Sequence, residues 1–210
     1  TGTHISNDEV ENRRNELTPD SLATLIYTSG TTGDPKGVML SHSNLVSNFI
    51  AVRNLPPVKS GDKVLSFLPL NHIYERMLTY LYMYLGASIW YAESLETIGD
   101  NIREVQPVVF SAVPRLIEKV YDKIVSKGSA QKGIKKKLFF WALDLGMKYN
   151  PAEKGSIAYR MQLLIANRIV FSKWRDALGG NVRAIVSGGA ALNPKLARIF
   201  WAAGMPILEG

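Results

Sequence analysis

The run Tyr27-Thr28-Ser29-Gly30-Thr31-Thr32-Gly33-Asp34-Pro35-Lys36-Gly37 concentrates hydroxyls, glycines and one lysine directly after the apolar segment Leu22-Ala23-Thr24-Leu25-Ile26. An apolar strand that opens into such a loop has the parts of a phosphate cradle. Glycines let backbone N–H groups turn toward an anion, hydroxyls add donors, and the lysine brings a point charge. The spacing is not that of the Walker loop, because Pro35 precedes Lys36 and Gly37 follows it. It is not a dinucleotide G-x-G-x-x-G either, since Gly30 and Gly33 lie three apart. Two further loops carry groups of interest: Pro69-Leu70-Asn71-His72 and Ser187-Gly188-Gly189-Ala190-Ala191.

The elements that would position these loops alternate between strand and helix. The spacing predicts a strand at Ala23–Tyr27, then a helix over about 43–54 with Leu45, Phe49 and Val52 on one face and Ser41 or Ser43 as its cap. Strands follow at Lys63–Leu68, Ser88–Tyr91, Val108–Ala112, Val182–Val186 and Met205–Leu208. Between them, helices are expected from Ile73 to Leu85, near Glu96–Val105, and from Asn193, which caps a helix with Pro194 in its first turn. Residues 114–178 read as mainly helical, with a last helix over 156–177. That helix is apolar on two sides, Tyr159, Leu163, Ala166, Val170 and Trp174 on one and Met161, Leu164 and Ile165 on another, so it is expected to be buried or to line an apolar cavity. Residues 1–20 read as an extended lead-in. The fold class is therefore α/β, a parallel doubly wound sheet with flanking helices. In such sheets ligands gather beyond the carboxyl ends of the strands, where all three loops are expected to meet.

Composition narrows the function. Hydrophobic residues make up 46% of 210, enough for a sizeable core, and there is no cysteine, which excludes disulfides and thiol chemistry and fits a reducing, cytoplasmic compartment. The polar residues 1–20 hold no apolar signal region. The longest uncharged stretch, Met77 to Ala92, has 16 residues broken by Gly86 and Ser88, short of the roughly 20 that span a bilayer. The net charge of +7 comes largely from Lys119, Lys123, Lys127, Lys132, Lys135, Lys136 and Lys137. This cluster reads as a solvated helix face, able also to attract anionic lipid or CoA at the inner side of a membrane. No nucleic-acid module accompanies it, so no nucleic-acid partner is expected.

Leu25 to Lys36 resembles the phosphate-loop signature of the AMP-forming acyl-CoA synthetases, the adenylate-forming superfamily. Phe67-Leu68-Pro69-Leu70-Asn71-His72-Ile73-Tyr74-Glu75-Arg76 resembles that family's second core motif in the form typical of long-chain fatty-acid–CoA ligases. Ser187-Gly188-Gly189-Ala190-Ala191-Leu192 resembles the loop that lies against the adenine, and Ile207-Leu208-Glu209-Gly210 the start of the next motif. The resemblance implies that residues 1–210 are the central part of the adenylation domain, without the small C-terminal lid domain and its lysine. It implies ATP with Mg2+, coenzyme A and a long-chain fatty acid as reactants, joined through an acyl adenylate. Catalytic parts fall to His72, Thr31 and Lys36. Nucleotide contacts fall to Thr28, Ser29, Gly30, Thr31, Thr32, Gly33, Lys36, Gly188, Gly189, Ala190, Glu209 and Gly210, and a metal contact to Thr28. Tyr74, Met77, Leu78 and Leu81, or the aromatic-rich helices from 134 to 174, are candidates for the acyl tunnel, though each stripe reads more readily as ordinary core. Other acyl or aryl ligases, and a non-catalytic nucleotide- or acyl-binding module, remain alternatives. Apolar faces left uncovered in residues 1–210 alone favour self-association, as a homodimer or otherwise.

Overall fold

The computed structural model describes residues 5–28, 34–153 and 155–210. Helix α1 (Asn7–Glu16) comes first. Where an extended lead-in is expected, Ser6 caps a helix by accepting from the N–H of Glu9 at 3.1 Å, and Arg13 pairs with Glu9 one turn back at 2.7 Å. Ser6 and Glu9 have the capping spacing, but the helix buries no residue, so it lacked an apolar stripe to announce it.

Strands β1 (Leu22–Thr28) and β2 (Lys36–Ser41) pair antiparallel as a separate two-stranded sheet. This corrects the expectation that the first strand belongs to the parallel sheet. A parallel neighbour needs a crossover of a dozen or more residues, and the separation in sequence between Thr28 and Lys36 is shorter than that. Helix α2 (His42–Val52) starts at once, with Ser41 and Asn44 exchanging cap hydrogen bonds.

The main sheet contains β3 (Lys63–Ser66), β4 (Ser88–Tyr91), β5 (Val109–Ala112), β6 (Ala184–Ser187) and β7 (Ile207–Glu209), all parallel, in the order β4-β3-β5-β6-β7. The order reverses around β3, the arrangement of a doubly wound sheet. Alternation along the strands sends residues to two cores. Val64, Val109 and Ala184 pack with Leu78, Leu81 and Tyr82 of α3 (Ile73–Tyr84), with Phe49 of α2 beside them. Leu65, Phe110, Ile185 and Ile207 face the other way. There α4 (Ile98–Val105), α5 (Pro114–Ser129), α6 (Gly133–Met147), α7 (Ile157–Ala166), α8 (Ser172–Ala177) and α9 (Pro194–Ala202) complete a larger core.

A π-helical turn, Asn167–Phe171, joins α7 to α8 inside what the periodicity predicts as one helix. It is held by a polar clamp: Asn167 Nδ2 donates to Ala202 O at 2.9 Å, and Arg175 donates to Asn167 Oδ1 at 2.9 Å and Ala203 O at 2.6 Å. The expectation that this helix is buried on both sides is also corrected. Trp174 and Val170 are buried, but Met161, Leu164 and Ile165 face solvent, with Leu164 69% exposed.

Candidate functional site

The site lies where the carboxyl ends of β6 and β7 meet the start of α3. His72 takes the N-cap position of α3 with extended backbone; its side chain makes no cap hydrogen bond and is exposed. The next residue but one, Tyr74, lays its ring against the backbone of Gly188, where a Cβ would overlap it. This close approach explains the glycine after β6. Gly189 has φ +84°, a turn open to glycine, and leaves its outer side clear. The N–H of Gly210 donates to Ser187 O at 3.0 Å, which draws the end of β7 beside the same turn.

These groups edge a cleft of about 350 Å³ lined by Leu40, Leu45, Ile73, Tyr74, Met77 and Gly189, with Asn44, Asn48 and Gly210 as its polar points. The structure thus brings together the stretch after His72, the Gly188-Gly189 turn and Gly210. Ala190 and Glu209 are exposed beside them, outside the cleft lining. The asparagines of α2 were not read from the sequence. They lie one position off the Leu45–Phe49–Val52 stripe, and only their i,i+4 spacing on a helix docked to α3 could have marked them.

Lys36 and Thr28 do not line the cleft. They close the far end of the β1–β2 ladder, where Thr28 Oγ1 donates to Lys36 O at 3.4 Å, and both are exposed. Ser29, Gly30, Thr31, Thr32 and Gly33 lie outside the described residues. The hairpin is fixed to the site by Arg76 of α3, which donates to Thr24 Oγ1 at 2.7 Å and to Leu70 O at 3.1 Å, and by Leu40 in the cleft wall. Two loops thus share the site through the parallel sheet, and the hairpin that carries the third is tied to it by an arginine from the second.

Behind the cleft, Glu75 is fully buried. Its Oε1 is hydrogen-bonded to Ser66 Oγ of β3, while Oε2 has no partner. Ser111 Oγ of β5 lies near the carboxyl but completes no hydrogen bond, and the hydroxyls of Tyr74 and Tyr82 are also buried and unpaired. Burial pushes the Glu75 carboxyl above its ordinary range, with the serine hydroxyls pulling partly back. Burial and then the charge of Glu75 raise the Tyr74 and Tyr82 phenols well above theirs. Orphaned buried oxygens are uncommon in a native core, and their clustering marks this face as a polar interior. Nothing but membership of the core motif pointed to Glu75 in the sequence.

Residues 2–210 match the family of AMP-binding enzymes. This chain belongs to that family. Relatives of this chain include the peroxisomal long chain acyl-CoA synthetase 6 of Arabidopsis thaliana, 38% identical over 85% of this chain and 25% of its own length. A long-chain-fatty-acid–CoA ligase of Mycobacterium tuberculosis is 34% identical over 100% of this chain and 35% of its own length. The chain thus spans about a quarter to a third of these curated relatives. Among solved structures, the adenylation domain of a carboxylate reductase from Mycobacterium chelonae superposes with TM-score 0.60 at 26% identity, over 97% of this chain and 29% of that one. A malonyl-CoA ligase with methylmalonyl-CoA and AMP bound shares the fold at TM-score 0.60 and 21% identity, over 92% of this chain and 33% of that one. The parallel five-stranded sheet with helices on both sides is the frame of these adenylate-forming enzymes. Among the described residues no helix is long and apolar enough to cross a membrane.

Proposed function

We propose that this AMP-binding enzyme is the central part of a long-chain fatty-acid–CoA ligase of the AMP-forming kind. A carboxylate oxygen of the fatty acid attacks the α-phosphorus of ATP, and the bond to the β-phosphate oxygen breaks to release pyrophosphate. The sulfur of CoA then attacks the acyl carbonyl carbon, losing its proton, and AMP leaves. The observation that carries the reading is the apolar cleft. It opens at the carboxyl ends of β6 and β7, where open α/β sheets bind nucleotides, and its wall is hydrocarbon from α2 and α3. The similar long chain acyl-CoA synthetase and long-chain-fatty-acid–CoA ligase agree with it.

In this reading Met77, Leu45 and Ile73 hold the first part of the acyl chain, and the Gly188-Gly189 turn, with Ala190, Glu209 and Gly210, faces the nucleotide. His72 stands at the mouth, able to donate to the oxygen on which charge develops. Lys36, Thr28 and residues 29–33 meet the pyrophosphate end of ATP. Magnesium is an oxygen-seeking ion that keeps waters and phosphates as most of its ligands. Thr28 offers one neutral hydroxyl, and no group of three acidic or imidazole ligands occurs among the described residues, so these residues alone do not form a magnesium site. The seven exposed lysines from Lys119 to Lys137 suit peripheral contact with an anionic membrane. Tyr27 and Met39, 70% and 72% exposed on the hairpin, suit self-association of residues 1–210 made alone.

The test is made on the full-length protein. Pyrophosphate release that requires palmitate, with palmitoyl-CoA formed when CoA is added, is the expected result. Release that proceeds equally without a fatty acid would overturn the proposal. Lys36→Ala should slow adenylate formation and leave thioester formation from supplied palmitoyl-AMP nearly intact, because that intermediate carries no β- or γ-phosphate. Equal loss in both half-reactions would remove Lys36 from the phosphate site.

A further inference from the structure

On the side of the sheet away from the cleft, α5, α6, the π-turn and α8 enclose a second cavity of about 320 Å³. Its floor is hydrocarbon from Phe139, Val170 and Trp174, all buried. Gly128 makes the floor possible: the ring of Phe139 lies directly on its backbone, where a Cβ would overlap it. The rim is cationic, formed by Lys127 of α5, Lys135 of α6 and Lys173 of α8. No acidic residue lines the cavity, and none of these three lysines forms an ion pair among the described residues.

A lysine run on one helix is usually a solvated face. Here the three charges come from three helical segments and converge on one apolar hollow. Lys135 also stands in the first turn of α6, a helix start with no acidic residue and no side-chain cap, where the helix dipole disfavours a cation and favours an anion. The wall includes Ile169 and Val170 from the π-turn, a kind of helix irregularity frequent at functional sites. A nucleotide would need polar partners for its base, and apart from the lysines the lining offers only the side chain of Gln131 and the indole N–H of Trp174. A flat bilayer surface would not use a concave floor. A carboxylate joined to a long hydrocarbon tail matches both parts.

We propose that this cavity is a second binding site for a long-chain fatty-acid anion, separate from the cleft beside Tyr74 and not part of the reaction. The carboxylate meets Lys127, Lys135 and Lys173, and the tail lies on Phe139 and Trp174.

Equilibrium dialysis of the full-length protein with palmitate, without ATP or CoA, tests this. Two bound equivalents are expected. The triple variant Lys127→Gln/Lys135→Gln/Lys173→Gln should weaken one of them by at least about tenfold, the effect of losing charge-assisted contacts, and leave the other and the turnover of palmitate unchanged. Ile169→Trp, on a wall position 37% exposed, fills the cavity without removing charge and should abolish the same equivalent. If the ligase reading is wrong, the equivalent in the cleft fails while the lysine-dependent one remains. One equivalent in the wild type that neither variant weakens, or two in both variants, would overturn the proposal. So would a triple variant that loses binding to phosphatidylcholine/phosphatidylglycerol vesicles but keeps both palmitate equivalents, since the lysines would then serve a lipid surface.

Discussion

The two faces of the main sheet are covered by different chemistry. The face under α4 to α9 is built mainly of hydrocarbon: Trp174 meets Phe171, Phe139 and Phe200 with ring centroids 5.1, 6.2 and 6.4 Å away. The face under α2 and α3 holds fewer apolar side chains, and next to them a buried carboxyl and several hydroxyls without partners. The apolar face stabilises the domain and leaves the strands little freedom. The polar face lies directly behind the cleft. Its buried oxygens cost stability unless they are satisfied, and that cost falls on the element that carries His72 and Tyr74.

Removing the aromatic centre of the apolar face should give the largest effect. Trp174→Ala takes a large side chain from three aromatic neighbours, and truncations of this kind cost about 3–5 kcal/mol. A urea denaturation midpoint that stays within error of the wild type would show that this face is not the stabilising one. His72→Ala should act on the other side of the comparison. The side chain is exposed and makes no cap hydrogen bond, so folding should be untouched. Loss of one donor to a developing oxyanion costs roughly 10²–10³ in kcat, so palmitate turnover should fall by about that factor with Tm unchanged. A large drop in Tm with normal kinetics would make His72 a structural residue.

The sequence disclosed these two faces unequally, for physical reasons. Apolar periodicity is written in residue types, so the strands Ser88–Tyr91 and Val109–Ala112 and the helix from Ile73 stand close to their expected places. The cap at Asn193 was legible because its side chain does the capping, accepting from Lys195 N at 3.0 Å. Pairing is not written that way. Val38-Met39-Leu40 is a short apolar run in the sequence, and only its return onto β1 makes it the second strand of a hairpin. Tertiary contact likewise decided the π-turn, through Asn167 and Arg175, and the burial of Glu75 beside Ser66. Of the site, the glycine turn and the motif around His72 were readable. The contribution of α2 was not, because it depends on how one helix docks on another.

Glu75 gives the sharpest test of the polar face. Glu75→Leu removes the partner of Ser66 and leaves buried hydroxyls with apolar neighbours, at about 1–3 kcal/mol for each group stranded. Glu75→Gln keeps a carbonyl acceptor for Ser66 and adds donors toward the unpaired oxygens, so its loss at acidic pH should be smaller. If Leu at this position proved as stable as Gln, the hydroxyls would not need a polar partner and the face would resemble its opposite.

The smallest effect is a change of slope. The Glu75 carboxyl is raised in the folded protein by burial, above an ordinary value of 4.5. A group with a raised folded pKa binds more protons folded than unfolded. Its contribution to stability is therefore full below the unfolded value and declines as pH rises from there through the folded value. Glutamine at 75 has no such titration. A plot of the stability difference between wild type and Glu75→Gln against pH should be level below about 4.5 and then turn against the wild type as pH increases. Urea midpoints measured in steps from the most acidic pH at which both proteins fold up to neutrality would show it. A difference that turned in favour of the wild type would mean that the folded state prefers the carboxylate. The polar face would then hold a buried charge supported by its neighbours, and Tyr82 and Ser111 would have to supply the hydrogen bonds they do not make here.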